Sequence, residues 1–273
     1  MMSYFTRNTT LTKMDLLKFS QTLELNIQEE IENAYPFEWS EDYLSLRLAK
    51  ALRELSYSQV EYINQRNNVL IIPFKLKGTN ENKFGDIAII MDIEFKDGDK
   101  LKGVAFLEAK MMYDNSNEYG ALKKDQLERI YSNAPNSRLL LYNYNHMSTL
   151  APSGLGTSKV TGGSSLLPKF PVTYCSVLPV NTALELKQKN DRLHKASIPL
   201  SYQFSFRYLF GMDLEFDQDK IQSAQGYLQE KYGVPSYVVA VSVKPGKKGE
   251  KEIDAFYQPE INRELYAEII NNK

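Results

Sequence analysis

The stretch that decides the fold is GDIAIIMDIEFKDGDKLKGVAFLEAK, residues 85–110. Its first part alternates, with Ile87, Ile89, Met91, Ile93 and Phe95 on one face and Asp86, Ala88, Ile90, Asp92 and Glu94 on the other. The first of these faces is predicted to meet the core. Lys96-Asp97-Gly98 breaks the alternation and residues 103–110 resume it, so the segment reads as two antiparallel strands joined by a tight turn. The length of that turn decides which side chains meet. A three-residue Lys96-Asp97-Gly98 connection, with Gly98 in the left-handed position of a bulge, pairs Phe95 with Asp99 and brings Asp86 opposite Glu108. Period-two alternation then puts Lys110 on the same face. A two-residue Asp97-Gly98 turn pairs Asp86 with Ala109 instead and turns Glu108 and Lys110 away.

Working outward, Ser40 precedes Glu41 and Asp42 as an N-cap with acidic first-turn residues, and Tyr43, Leu44, Leu46, Leu48, Leu52 and Leu55 give the helix near 41–56 an apolar face. Residues 69–74 are β-rich, with Pro73 arguing for an edge position or a strand end. After the hairpin, 119–132 reads as an amphipathic helix and 138–144 as a strand. The resulting order is helix, three strands, helix, strand. Helical spacing over 11–34 ends at Pro36 and predicts a short N-terminal helical region. Residues 151–168, APSGLGTSKVTGGSSLLP, read as a loop and lack the Gly-x-x-x-x-Gly-Lys-Ser/Thr pattern of a phosphate cradle. Beyond them, 172–180 and 237–243 are predicted strands and 217–232 a helix. The expected organisation is an N-terminal extension over 1–40, a core over 41–150, and an elaboration of the same domain over 151–273.

Composition narrows the function classes. With 42% hydrophobic and 25% charged residues in 273, the chain has enough apolar content for a real core. A net charge of −1 supplies no global attraction for nucleic acid, so such contacts must rest on local patches. One cysteine, Cys175, and two distant histidines, His146 and His194, exclude a disulfide framework and a Cys/His zinc site within the chain. No Gly-x-Ser-x-Gly elbow supports a serine hydrolase. No stretch reaches the roughly 18 apolar residues of a membrane span and no export signal opens the chain, so a cytoplasmic protein is expected.

In the three-residue register, Asp86 and Glu108 are two carboxylates about one strand spacing apart. As a bare pair they repel; together they suit a hard divalent cation, with the Ala109 carbonyl as a further oxygen ligand. Lys110 beside them can orient or help deprotonate a water and offset phosphate charge, as metal-assisted phosphodiester hydrolysis requires. Two other Glu-x-Lys triplets, at 94–96 and 185–187, do not end an apolar strand that pairs with an acidic strand start. The competing reading makes Asp86 and Glu108 solvated strand-end carboxylates, with Lys110 an incidental ion-pair partner.

Over roughly residues 41–145, in motif and element order, the chain resembles the PD-(D/E)xK nuclease superfamily, which includes restriction endonucleases, RecB-like exonucleases and Holliday-junction resolvases. The resemblance implies an α/β, restriction-endonuclease-like core with a central mixed sheet flanked by helices. It implies Asp86 and Glu108 as ligands of Mg²⁺ or Mn²⁺ and Lys110 as the catalytic lysine. Glu41 is similar to the extra acidic residue that some members add to the metal site; its alternative role is to complement the helix dipole. Gln126 is similar to the glutamine of RecB-like members, although Tyr131 follows one residue later than their Gln-x-x-x-Tyr spacing; alternatively Gln126 sits on an exposed helix face. Gly85 stands where the motif has proline.

The implied substrate is DNA, with RNA left open, and the implied setting is restriction or anti-phage defence. A homodimer or a defence-system partner subunit would help a near-neutral chain hold it. In the rival reading the chain is a non-catalytic nucleic-acid-binding or assembly subunit. Lys244, Lys247 and Lys248, in VKPGKKGEKE, are candidate phosphate contacts, set against an ordinary solvated charge run that Glu250 and Glu252 dilute. The aromatic set Tyr142, Tyr144, Tyr202, Phe204, Phe206, Tyr208 and Phe210 reads as core rather than as a base-stacking surface.

Overall fold

A computed structural model describes residues 11–62, 65–78, 83–120, 122–148, 172–247 and 257–270. In chain order the first elements are β1 (Thr12–Asp15), α1 (Leu16–Glu32), α2 (Glu41–Arg53), β2 (Ser58–Tyr62) and β3 (Gln65–Leu76). There follow β4 (Ile87–Glu94), β5 (Lys100–Met111), α3 (Lys124–Asn133), β6 (Arg138–Ser148), β7 (Val172–Pro179) and α4 (Val180–Leu186). The last group is β8 (Ile198–Pro199), α5 (Leu200–Phe206), α6 (Gln218–Gln225), α7 (Gln229–Tyr232), β9 (Tyr237–Pro245) and β10 (Tyr266–Glu268). The strands form a ten-stranded mixed sheet in the order β1-β2-β3-β9-β4-β5-β6-β7-β8, with β10 beside β3. The protein is therefore α/β, with helices flanking a mixed sheet.

β4 and β9 pair in parallel, as do β5 and β6, whose connection is long enough to carry α3. Both faces of the central strands are covered. Ile87, Ile89, Met91 and Ile93 pack with Phe19, Leu44, Leu48 and Phe204 from α1, α2 and α5, while Ala88 and Ile90 pack with Phe106, Ile221 and Ala224 on the α6 side. The single core face expected for 87–95 is thus corrected to two.

β9 lies between β3 and β4, so the last third of the chain completes the centre of a sheet begun by the first half. Pro73, expected at an edge or strand end, lies in interior β3. Its carbonyl accepts from Ile269 N at 2.9 Å, on the side away from β9, so the N–H that proline lacks is not needed in the β3·β9 ladder.

Several boundaries also move. The helix expected over 11–34 is α1 alone, preceded by β1, and the polar strand β2 was not read from the sequence. The helix expected from 119 begins at Lys124, because Tyr119 is buried and bridged to Met112. The helix expected over 217–232 splits at Gly226, which adopts φ +90°. Of the aromatic set, Tyr142, Phe204 and Tyr208 are fully buried and Tyr144, Tyr202, Phe206 and Phe210 are half-buried. Residues 151–168 lie outside the described residues. Among the described residues no helix is long and apolar enough to cross a membrane.

Candidate active site

The β4–β5 turn fixes the site. Phe95 N donates to Asp99 O at 2.8 Å, Gly98 adopts φ +91°, and the ladder runs from Glu94 opposite Lys100 to Ile87 opposite Leu107. One step further along, that register sets Asp86 opposite Glu108, the three-residue alternative. Gly85 has φ +134°, and a Cβ there would stand 2.7 Å from the Leu107 carbonyl oxygen. Neither a side chain nor the fixed negative φ of proline fits, which accounts for glycine before Asp86.

Asp86 Oδ2 accepts the Ala109 N–H at 2.9 Å. A residue in an extended strand presents its N–H and C=O to the same side, so the Ala109 carbonyl also faces Asp86. Glu108 and Lys110 share the face of their β6 partners Leu139 and Leu141, the face that α3 covers. From α3, Gln126 Nε2 donates to Glu108 Oε1 at 2.6 Å, and Lys110 Nζ meets the same oxygen at 2.6 Å. Glu41, in the first turn of α2 behind the Ser40 cap, accepts the Met111 N–H at 3.4 Å and lies 3.8 Å from Lys110 Nζ. Glu41, Asp86, Glu108, Lys110 and Gln126 therefore converge from four segments at one end of the sheet.

The electrostatics are unbalanced. Three carboxylates face one lysine, and the Glu108 and Lys110 side chains are only 3% and 7% exposed. Burial raises Asp86, against the opposing Lys110 charge and the Ala109 hydrogen bond. Burial and then the neighbouring Asp86 raise Glu108, again with Lys110 opposing. Glu41 is raised by burial and, more weakly, by Asp86. Burial works against the Lys110 charge, but Glu108, Glu41 and Asp86 outweigh it and hold the ammonium above its usual range. Lys110 is a fixed cation here, so orienting and neutralising suit it better than removing a proton.

Sequence reading missed three neighbours. Tyr237, at the start of β9, donates its hydroxyl to Asp42 Oδ1 at 2.7 Å, while Lys75 Nζ meets Asp42 Oδ2 at 2.9 Å and Tyr237 N donates to Asp86 O at 3.1 Å. This set pins the start of α2 to the sheet and so places Glu41. Asp42 carried a signal only as a first-turn acid, and nothing local linked it to residue 237. Other candidates stay away. β9 runs from Tyr237 beside Asp86 to Pro245, roughly 25 Å of extended chain. Exposed Lys244 and Lys247 thus lie toward the far end of the sheet, and Lys248 lies outside the described residues. Tyr131 is exposed.

The donors are carboxylate and carbonyl oxygens, the chemistry that Mg²⁺ or Mn²⁺ takes, and the elevation of Glu108 by burial and by the Asp86 charge marks excess negative charge that a cation would relieve. As arranged, Glu108 is held by Lys110 and Gln126. Among the described residues no three His, Cys, Asp or Glu side chains form a group that could hold a metal ion, so occupancy requires side-chain adjustment. The fold and site define an α/β protein with a half-buried acid–lysine–glutamine cluster at a sheet end. Compared with family models, curated proteins and solved structures, the chain has no significant match.

Proposed function

We propose that the chain is a metal-dependent nuclease with a restriction-endonuclease-like core, hydrolysing phosphodiester bonds in DNA. The observation that carries this reading is the convergence of Glu41, Asp86 and Gln126 on the buried Glu108–Lys110 pair at one end of the sheet. Asp86, Glu108 and the Ala109 carbonyl, with Glu41 beside them, would hold Mg²⁺ or Mn²⁺, which supplies Lewis-acid neutralisation of a phosphodiester and of the water that attacks it. The Ala109 N–H orients Asp86. Lys110 keeps its proton and directs it at the phosphate oxygen or the attacking water. Gln126 holds Glu108 in place and presents an amide donor beside it.

A second reading, a non-catalytic nucleic-acid-binding or assembly subunit, has one observation in its favour: Lys110 and Gln126 already satisfy Glu108 Oε1. One experiment separates the two. Purified protein is incubated with supercoiled and linear DNA and with RNA in Mg²⁺ or Mn²⁺, beside Glu108→Ala and Lys110→Ala. The nuclease reading expects cleavage by the wild type and loss in both variants. No cleavage of any substrate, with no metal uptake by calorimetry, selects the second reading.

A further inference from the structure

Beside the carboxylate cluster lies an aromatic cleft that hydrolysis itself does not use. Tyr35, Pro36 and Trp39, between α1 and α2, line it together with Tyr113, Asp114 and Asn115, which follow β5. Its volume of ≈ 470 Å³ is within the range of small-ligand sites. Tyr35 stacks on Tyr144 with ring centroids 4.8 Å apart and planes 18° from parallel, and Trp39 meets both rings edge-on. The rings are anchored: Trp39 Nε1 donates to Met112 O at 2.8 Å and the Tyr35 hydroxyl to Asp114 Oδ1 at 2.6 Å. Yet Tyr35 and Tyr113 remain 36% and 44% exposed. Aromatic faces held in position without being closed over are binding surfaces of low ordering cost.

Gly120 joins this cleft to the cluster. A Cβ on Gly120 would stand 3.1 Å from both Glu41 Oε1 and the Tyr113 hydroxyl, so a wall of the cleft and a carboxylate of the cluster flank one small gap. A substrate whose phosphodiester sits at the cluster therefore has its neighbouring base within reach of these rings. A base stacked inside a duplex cannot enter such a cleft, whereas an unpaired base can. The rim suits a base edge, because Asp114 can accept from a donor on the Watson–Crick edge, such as the N3–H of thymine.

We propose that the cleft receives an unpaired nucleobase next to the phosphodiester at the cluster, so that the preferred substrate is single-stranded nucleic acid or an unpaired segment of a duplex. The inference rests on the nuclease reading for the phosphate and on the cleft alone for the base.

Trp39 is the only tryptophan in the chain, so intrinsic fluorescence reports on this cleft. The full chain, in Ca²⁺, is titrated with a thymidine strand of about 12 nucleotides, with an abasic strand of equal length and charge, and with a blunt duplex. Binding is followed separately by anisotropy of a dye on each nucleic acid. The thymidine strand is expected to quench Trp39 and to bind about tenfold more tightly than the abasic strand, with Tyr113→Ala removing that difference. Equal binding and quenching by thymidine and abasic strands, equal quenching by the duplex, or no binding of any strand overturns the proposal. The wild-type comparison needs no variant to fold. Base discrimination without cleavage of any substrate leaves the cleft standing and removes the nuclease; cleavage without discrimination does the reverse.

Discussion

Two carboxylate environments in this molecule treat their acids in opposite ways. Asp213 is surrounded by donors: Arg138 Nη2 at 2.7 Å, Gln203 Nε2 at 2.8 Å, and Arg207 through both Nη2, at 2.8 Å, and Nε. These hydrogen bonds, Arg207 first, hold its carboxyl well below the usual range. At the sheet end Glu41, Asp86 and Glu108 share one lysine, and burial pushes all three up. The fold can satisfy a carboxylate fully with arginines, and at the sheet end it does not. Acids left short of positive charge in a buried cluster are a cost to stability, which is the pattern expected of a working site rather than a structural tie.

The largest effect that tests this contrast comes from Asp86→Asn. The amide oxygen can still accept the Ala109 N–H, so the backbone contact survives while a repelling charge is removed. Cleavage is expected to fall by about a thousandfold and the melting temperature to stay or rise. Asp213→Ala is its mirror image: two arginines lose their shared partner, and unfolding free energy drops by about 2 kcal/mol with allowance for partial solvent access. Cleavage per folded molecule is then unchanged. Melting curves and cleavage rates of the two variants, measured together, break the comparison if both lose stability alike.

Glu24 separates burial from charge crowding. It lies on α1, fully buried, with the Ser201 hydroxyl donating to it, and burial raises its carboxyl to about 7 from 4.5 while Ser201 and Thr173 oppose. An acid whose folded value is raised contributes most below its unfolded value, and that contribution is lost as pH rises through the folded one. Wild-type stability should therefore fall between about pH 4.5 and 7 on account of Glu24. Glu24→Gln removes this dependence, and its advantage over wild type should grow from near zero below that window to about 3 kcal/mol above it. Denaturant unfolding at several pH values measures the difference. Cleavage should not change, since a single buried acid without competing carboxylates is not a site.

How far the sequence carried these contrasts differs from residue to residue. The positions of Asp86, Glu108 and Lys110 were legible because one turn of three residues sets a register, and register is a local property. Glu41 and Gln126 were reached through the resemblance, each on a helix whose pattern gave its approximate bounds. The insertion of β9 between β3 and β4 was not legible, because pairing between residues so far apart leaves no periodic trace. For the same reason Tyr237 was invisible as the residue that positions Asp42. β2, with the polar sequence SQVEY, offered no alternation to read. Arg138 was visible only as the first residue of a strand; its partner Asp213 has φ +60°, a loop conformation that no pattern announced.

The smallest effect is expected at the opposite end of the sheet. Lys244 is exposed near the end of β9, and Lys247 follows two residues beyond that strand, so each is separated from Asp86 by most of the strand's length. Charges that far apart are screened from one another at physiological salt, where the Debye length is about 8 Å. The double variant Lys244→Ala, Lys247→Ala should leave cleavage of a short strand within about twofold of wild type and the melting temperature nearly unchanged. A long duplex is the sharper probe, since at about 3.4 Å per nucleotide a short strand of about four nucleotides cannot span both ends of the sheet. If the same variant weakens binding of a long duplex and lowers its salt dependence while the short strand is unaffected, the far-end lysines act as a backbone track and the charge contrast extends along the whole sheet. If the short strand is also affected, nucleic acid does not enter at the Asp86 end alone, and the contrast between the two carboxylate environments no longer locates the chemistry.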